Sequence, residues 1–301
     1  MAVGDLITAA RYNAIQSQVS NVLSTGSGDS GYGQSLQSSQ VAQNQVIEDD
    51  HMNTIRLDIR KAYLHQNNSY PTLTVVSTAN TVDDTNALNN SYVNFETLAN
   101  NINTNRNTIS ASRLATAATA STYQRTTTWN GTRVGTFTVT FASANAGRHF
   151  FNSGGAVQIE MNVTAGTAKN DDWNVMFVTN MGTLTFANLT SSRSGSGGTL
   201  TAATAFTTLT TSFQTVYSSV GGGVYTASNF NIQVRFTDIS NLTIEFQITL
   251  NDAAVGNPNI DEDIQPNLNI NVNRRIANGT LSDPITIAEP AFSAMSGSVT
   301  A

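Results

Sequence analysis

Residues 242–250 read Leu-Thr-Ile-Glu-Phe-Gln-Ile-Thr-Leu, with a large apolar side chain at every second position and a polar one between. Successive side chains of a strand point to opposite faces, so this stretch offers one face to a core and one to water. Three more stretches carry the same period. Phe137, Val139 and Phe141 alternate with threonines. Val157, Ile159, Met161 and Val163 alternate with Gln158, Glu160 and Asn162, and Phe230, Ile232, Val234 and Phe236 alternate with Asn231, Gln233 and Arg235. One-sided alternation belongs to antiparallel sheets packed on a single face.

Further strands are expected at 173–179, 183–187, 206–217 and 268–276, with Trp173, Val175, Phe177, Leu184, Phe186, Leu209, Phe213 and Val216 pointing inward. Gly147 to Gly155, GRHFFNSGG, reads as a strand ending in a tight turn. Loops rich in Gly and Ser at 191–198 and 221–223 separate these segments. The pattern predicts an antiparallel β-sandwich, jelly-roll-like, over residues 126–283. After Pro284 the periodicity fades, and 284–301 reads as an extended tail held by neighbours.

Before residue 126 the period is close to 3.5. Residues 6–15 and 46–55 superpose on a shift of 40 positions, which places Ile7 on Ile47, Asn13 on Asn53 and Ile15 on Ile55. A third segment, Leu88–Asn94, matches only at its ends. Thr8 suits a helix N-cap, and Glu48, Asp49 and Asp50 suit the first turn of a second helix. Ile15, Val19 and Val22, then Met52, Ile55, Ile59 and Ala62, follow at helical spacing. From Leu88 the steps of four and three run through Tyr92, Phe95, Ala99, Ile102, Arg106 and Ile109 to Arg113, a coiled-coil seam. Residues 1–125 are therefore expected to form a helical attachment and oligomerisation region, its seam joining copies of the chain as a trimer. The expected fold class is α+β in two parts.

The chain of 301 residues carries a net charge of −6 and only 11% charged residues, less than half the roughly 25% of an average soluble domain. Its 42 Thr, 35 Asn and 29 Ser make about a third of the sequence. The acidic balance disfavours nucleic acid as a partner. No apolar run nears the roughly 18 residues that cross a membrane, and the first fifteen residues lack the pattern of a secretory signal. There is no cysteine, so no disulfide or thiolate chemistry is available. Twelve of the fourteen cations are Arg, with only Lys61 and Lys169 as Lys; guanidinium forks suit fixed contacts at interfaces.

Candidate chemistry is sparse. His51, His65 and His149 lack metal-ligand spacing, and the two on helices suit a start (His51) and an end (His65). No G-x-S-x-G elbow supports His149 as a catalytic base. Asp83-Asp84, Asp171-Asp172 and Asp261-Glu262-Asp263 read as solvated loops ahead of calcium sites. No carboxylate pair stands out for glycoside hydrolysis. Trp129 and Trp173 fit core positions better than a sugar-stacking platform. Asn and Thr on the wet faces of the strands suit glycan contact, a subunit interface or an inert exterior alike. No catalytic, cofactor-binding or metal-binding residue is assigned, and no enzymatic activity is expected.

The β part, with GRHFFNSGG at 147–155, KNDDW at 169–173, MGTLTF at 181–186, SNLTIEF at 240–246 and GNPNIDEDI at 256–264, resembles virion structural proteins of tailed bacteriophages, particularly the cyanophage type. GDLITAARYNAI at 4–15 resembles the start of many phage tail and fibre proteins. The resemblance implies a tail or neck fibre or appendage located in the virion and contacting copies of itself and other virion proteins. A module binding host cell-surface polysaccharide and a capsid decoration protein are the alternatives it leaves open.

Overall fold

The computed structural model describes residues 8–26, 30–77, 92–116, 119–164, 166–254 and 262–299. Its helices are α1 (Ala9–Leu23), α2 (Asp49–Asn67), α3 (Tyr92–Thr104), α4 (Ala144–Asn152) and α5 (Ala168–Asn174). The strands are β1 (Leu114–Thr116), β2 (Ser121–Arg125), β3 (Gly131–Thr140), β4 (Ala156–Asn162), β5 (Leu184–Phe186), β6 (Ser192–Arg193), β7 (Thr199–Leu200), β8 (Gln214–Val220), β9 (Asn229–Asp238), β10 (Thr243–Asp252), β11 (Leu268–Ala277), β12 (Ala291–Phe292) and β13 (Ser296–Gly297). The fold is α+β, and two compact units share the chain. A helical unit takes Met1–Ala115, Arg148–Gly154 and Ala277–Ala288, and a β unit takes the rest. The division falls at 115/116 rather than near 125, and two later segments of chain join the helices.

Thr8 caps α1 by accepting the Arg11 N–H. Glu48 caps α2, and His51 Nδ1 accepts the Glu48 N–H in return. The buried positions of the three helices fall in register at intervals of 40: Ile15, Ile55 and Phe95; Val19, Ile59 and Ala99; Val22, Ala62 and Ile102. Asn13 and Asn53, which the repeat superposes, do the same work. Each binds both backbone groups of a valine in the chain that follows, Val41 for Asn13 at 2.9 and 2.9 Å and Val76 for Asn53 at 2.7 and 3.0 Å. The repeat is thus a helix plus a following segment without regular structure, pinned by the helix's asparagine.

The expected coiled-coil seam does not run through to Arg113 as one helix. Leu88 lies outside the described residues, and α3 ends at Thr104. Beyond it Arg106 offers its carbonyl to the Tyr32 hydroxyl, and the Arg113 guanidinium donates to the carbonyls of Ser282 and Asp283. Phe95, Ala99 and Ile102 pack in one cluster with α1 and α2 of the same chain, so this apolar face is covered within the chain.

In the β unit, β10 lies between β3 and β9, with Phe246 opposite Phe137 and Val234, and Ile248 opposite Ile232. The larger sheet runs β12-β3-β10-β9-β8-β7, and β13 also pairs with β3. A second antiparallel sheet runs β11-β4-β5-β6, with β2 on the other edge of β11. Phe186 of β5 meets Phe246 of β10 edge to face at 5.4 Å, closing a sandwich-like core between the sheets. Since β8, β9 and β10 are consecutive neighbours, the larger sheet is built on a meander rather than the expected jelly-roll exchange.

Two segments expected as strands are helical, and of the strand expected at 206–217 only the part from Gln214 forms, after a 3-10 turn at Phe206–Thr208. Residues 144–152 form α4, which buries Phe150 and Phe151 together. After α5 the chain continues through Val175–Met181 with wider i→i+5 bonding, closed by the Gly182 N–H on the Phe177 carbonyl. Met176, Phe177 and Met181 are inside, while Val175 and Val178 are 47% and 54% exposed, so Val175 leaves the expected core. Phe213 is half-buried under the Arg235 guanidinium. The tail expected to be held by neighbours is held by its own chain: Ile285 belongs to the helical core, β12 and β13 pair with β3, and Met295 and Val299 are buried.

Replacing Phe95 by Ala should cost the helical unit about 3–5 kcal/mol, and Phe95→Asp with Ile102→Asp should abolish its helical circular dichroism. Denaturant melts of the full chain check this. A double variant that keeps its helix content but loses an oligomer in light scattering would mean that the seam faces another chain.

Candidate functional site

The histidines go to structural posts. His51 completes the α2 cap. His65 is buried in the helical unit, and its Nε2 donates to the Ser153 carbonyl at 2.8 Å. Burial, aided by the nearby Arg113 charge and opposed by the Ser153 carbonyl, lowers its pKa to about 4. His65 is therefore a neutral core residue and not a cation at a helix end. His149 packs against Gly33, where an added Cβ would lie 2.2 Å from its Nδ1 and where φ is +69°; only glycine fits there.

Among the described residues, no three His, Asp or Glu side chains converge as metal ligands would. Asp83, Asp84 and Asp261 lie outside those residues. Asp171 and Asp172 sit on α5, and Asp172 accepts the Gly222 N–H at 2.8 Å. Its pKa is raised by burial, partly offset by that bond. Asp263 accepts the Asn130 amide at 2.7 Å. Trp129 and Trp173 are both inside, edge to face at 5.1 Å, so they form no sugar-stacking platform.

Two features remain with chemical potential. The first is the outer surface of the sandwich. On the larger sheet, pairing lines up Thr138, Glu245 and Arg235; Thr136, Gln247, Gln233 and Thr215; and Thr132, Asn251 and Asn229. On the smaller sheet it lines up Gln124, Asn269 and Asn162, whose amides are chained by bonds of 3.1 and 2.9 Å. Glu160 sits beside Asn271 and accepts from Thr183 at 2.6 Å. In these rows only Arg235, Glu245 and Glu160 are charged, and Arg235 donates to Glu245 at 2.7 Å. Such surfaces offer many neutral donors and acceptors and almost no field.

The second feature is internal and could not be found from sequence spacing. The side chains of Lys169 and Asp252 are each 1% exposed and meet at 2.9 Å, Nζ to Oδ2. Thr167 caps α5 through the Asn170 N–H. Asn170 in turn accepts the Gln265 N–H at 2.9 Å and donates to the Thr164 carbonyl, while Asn174 binds both backbone groups of Val163. These bonds fix the helix that carries Lys169. The ammonium also donates to the Glu262 carbonyl at 2.7 Å, and the Ser228 hydroxyl donates to Asp252 Oδ1 at 3.0 Å. Glu262 Oε1 accepts the Lys169 N–H at 3.2 Å, so Glu262, expected in a solvated loop, is tied to this buried pair.

No family model, no curated protein and no solved structure matches the chain. No helix among the described residues is long and apolar enough to cross a membrane.

His65 sets a pH dependence. Its folded pKa of about 4 lies below the unfolded value of 6.5, so the unfolded state takes up the proton first as pH falls. Stability should be unaffected by this group above pH 6.5 and lost between 6.5 and 4, by on the order of 3 kcal/mol. The difference between denaturant midpoints of wild type and His65→Gln, followed across that window, should shrink accordingly. A difference that does not change with pH would contradict the buried neutral imidazole.

Proposed function

We propose that this chain is a structural protein of a tailed-phage particle, an appendage of the tail or neck whose helical part attaches it and whose β-sandwich faces outward or packs on neighbouring subunits. The observation that carries the reading is the neutral, hydrogen-bonding outer surface of both sheets, from Gln124-Asn269-Asn162 on one to Thr136-Gln247-Gln233 on the other. Rows of short amides and hydroxyls suit repeated subunit contacts or an inert exterior, and they carry no acid–base pair aimed at a substrate. The phage-like motifs at 147–155, 240–246 and 256–264 support the same reading.

The second reading is a module for host cell-surface polysaccharide, favoured by the chained amides of the smaller sheet. Without exposed tryptophan it rests on hydrogen bonding alone, which water competes with. Antibody raised against the chain should decorate the tail or neck of intact virions in electron micrographs. Label confined to the capsid shell would make it a decoration protein, and unlabelled virions would overturn the proposal. On a glycan array the full chain should show no retained sugar; retention that disappears in Asn269→Asp would move the assignment to the second reading.

A further inference from the structure

We propose that the Lys169 Nζ and the Asp252 side-chain carboxyl are joined by an intramolecular amide bond that the folded chain makes by itself. The parts are a buried amine nucleophile, a carboxyl in direct contact with it, a hydroxyl on the second carboxyl oxygen and a site that excludes water. Each is present within the β unit. Nζ and Oδ2 are 2.9 Å apart, and Oδ2 is bonded to the carbon under attack, so the hydrogen bond holds the amine beside Cγ. The Glu262 carbonyl at 2.7 Å from Nζ fixes a second direction of the amine. Positioning of this kind replaces a bimolecular encounter, and effective molarities reach about 10⁵–10⁸ M.

The step balances without any co-reactant. Lys169 passes one proton along the hydrogen bond to Oδ2, which leaves a neutral amine and a neutral acid. Both are less costly than ions to keep from water. The amine lone pair adds to Cγ, and the negative charge develops on Oδ1, where the Ser228 hydroxyl donates at 3.0 Å. The C–Oδ2 bond then breaks, Oδ2 takes a second proton from the nitrogen, and one water departs. The product is an amide, and one positive and one negative charge disappear together. Burying an ion pair is disfavoured by the desolvation of both ions, so the interior that holds the Lys169 and Asp252 side chains at 1% exposure favours the neutral product. Trp173, one turn along α5 from Lys169, and Trp129, bridged to Ile264 near Glu262, are buried in the same region and help keep water from reversing the step.

The bond would tie α5 to the end of β10 across 83 positions of a chain without cysteine. It supplies a covalent brace where no disulfide can form.

Intact-mass spectrometry of the folded, full-length chain decides the matter. The wild type should be lighter than its sequence by one water, and digestion should give a branched peptide joining the segments around 169 and 252. Lys169→Arg should have its full sequence mass. Trypsin should also fail to cut after Lys169 in the denatured wild type. A wild type that melts cooperatively yet keeps its full mass overturns the proposal. So does a lost water without a branched peptide, which would be a succinimide.

Discussion

The inward side of β10 is the constraint on which the β unit depends. Phe246 is stacked on Phe137 of β3 at 5.0 Å, faces Val234 of β9, and meets Phe186 of the opposite sheet edge to face. A slip of one residue would send this whole row to water. The register is therefore fixed by Ile244, Phe246, Ile248 and Leu250, and the same parity carries Asp252 inward at the strand's end. A carboxylate is thus delivered to the margin of the core, where it must be matched. Lys169 matches it. The outer parity is left free of core packing, and threonine, glutamine, asparagine and the Arg235-paired Glu245 occupy it.

The helical unit obeys a different rule. Helices as short as α1 and α3, rich in Asn and Ser, are weak alone and depend on tertiary burial. The 40-residue repeat answers this by presenting equivalent apolar positions three times, so that the copies bury one another. Later chain is drawn into the same unit. Gln34 pairs with both backbone groups of Thr286, Arg60 pairs with Asp283, and the Asn152 amide donates to the Gly31 carbonyl. Burial, not chain continuity, decides which residues belong to which unit.

Much of this was legible in the sequence. Period-2 alternation located β3, β4, β9 and β10, and the Thr8 cap and the repeated Asn13 and Asn53 located α1 and α2. The errors have physical causes. In Trp173-Asn174-Val175-Met176-Phe177 both a period of two and a helical period can be drawn. Valine and phenylalanine argue for a strand, but burial of Met176 and exposure of Val175 show the helix. Arg148-His149-Phe150-Phe151 misleads likewise, because aromatic residues favour strands on average while both rings here face the interior from one short helix. Spacing of the kind seen from Phe95 to Ile102 gives the shape of a face and not its partner, and in this chain that face packs on α1 and α2. The Lys169–Asp252 pair left no local signal, since its members come from elements far apart in the chain.

Two cores, each assembled from separated stretches, organise the chain. Native-state hydrogen exchange read by mass spectrometry distinguishes them, because cooperative units open together. Residues 148–154 and 277–288 should gain deuterium with the same denaturant dependence as α1 and α2, and the strands β4 and β11 that flank them in sequence should follow β3, β9 and β10. If 148–154 and 277–288 instead exchange in step with the adjoining strands, the division into these two cores is wrong.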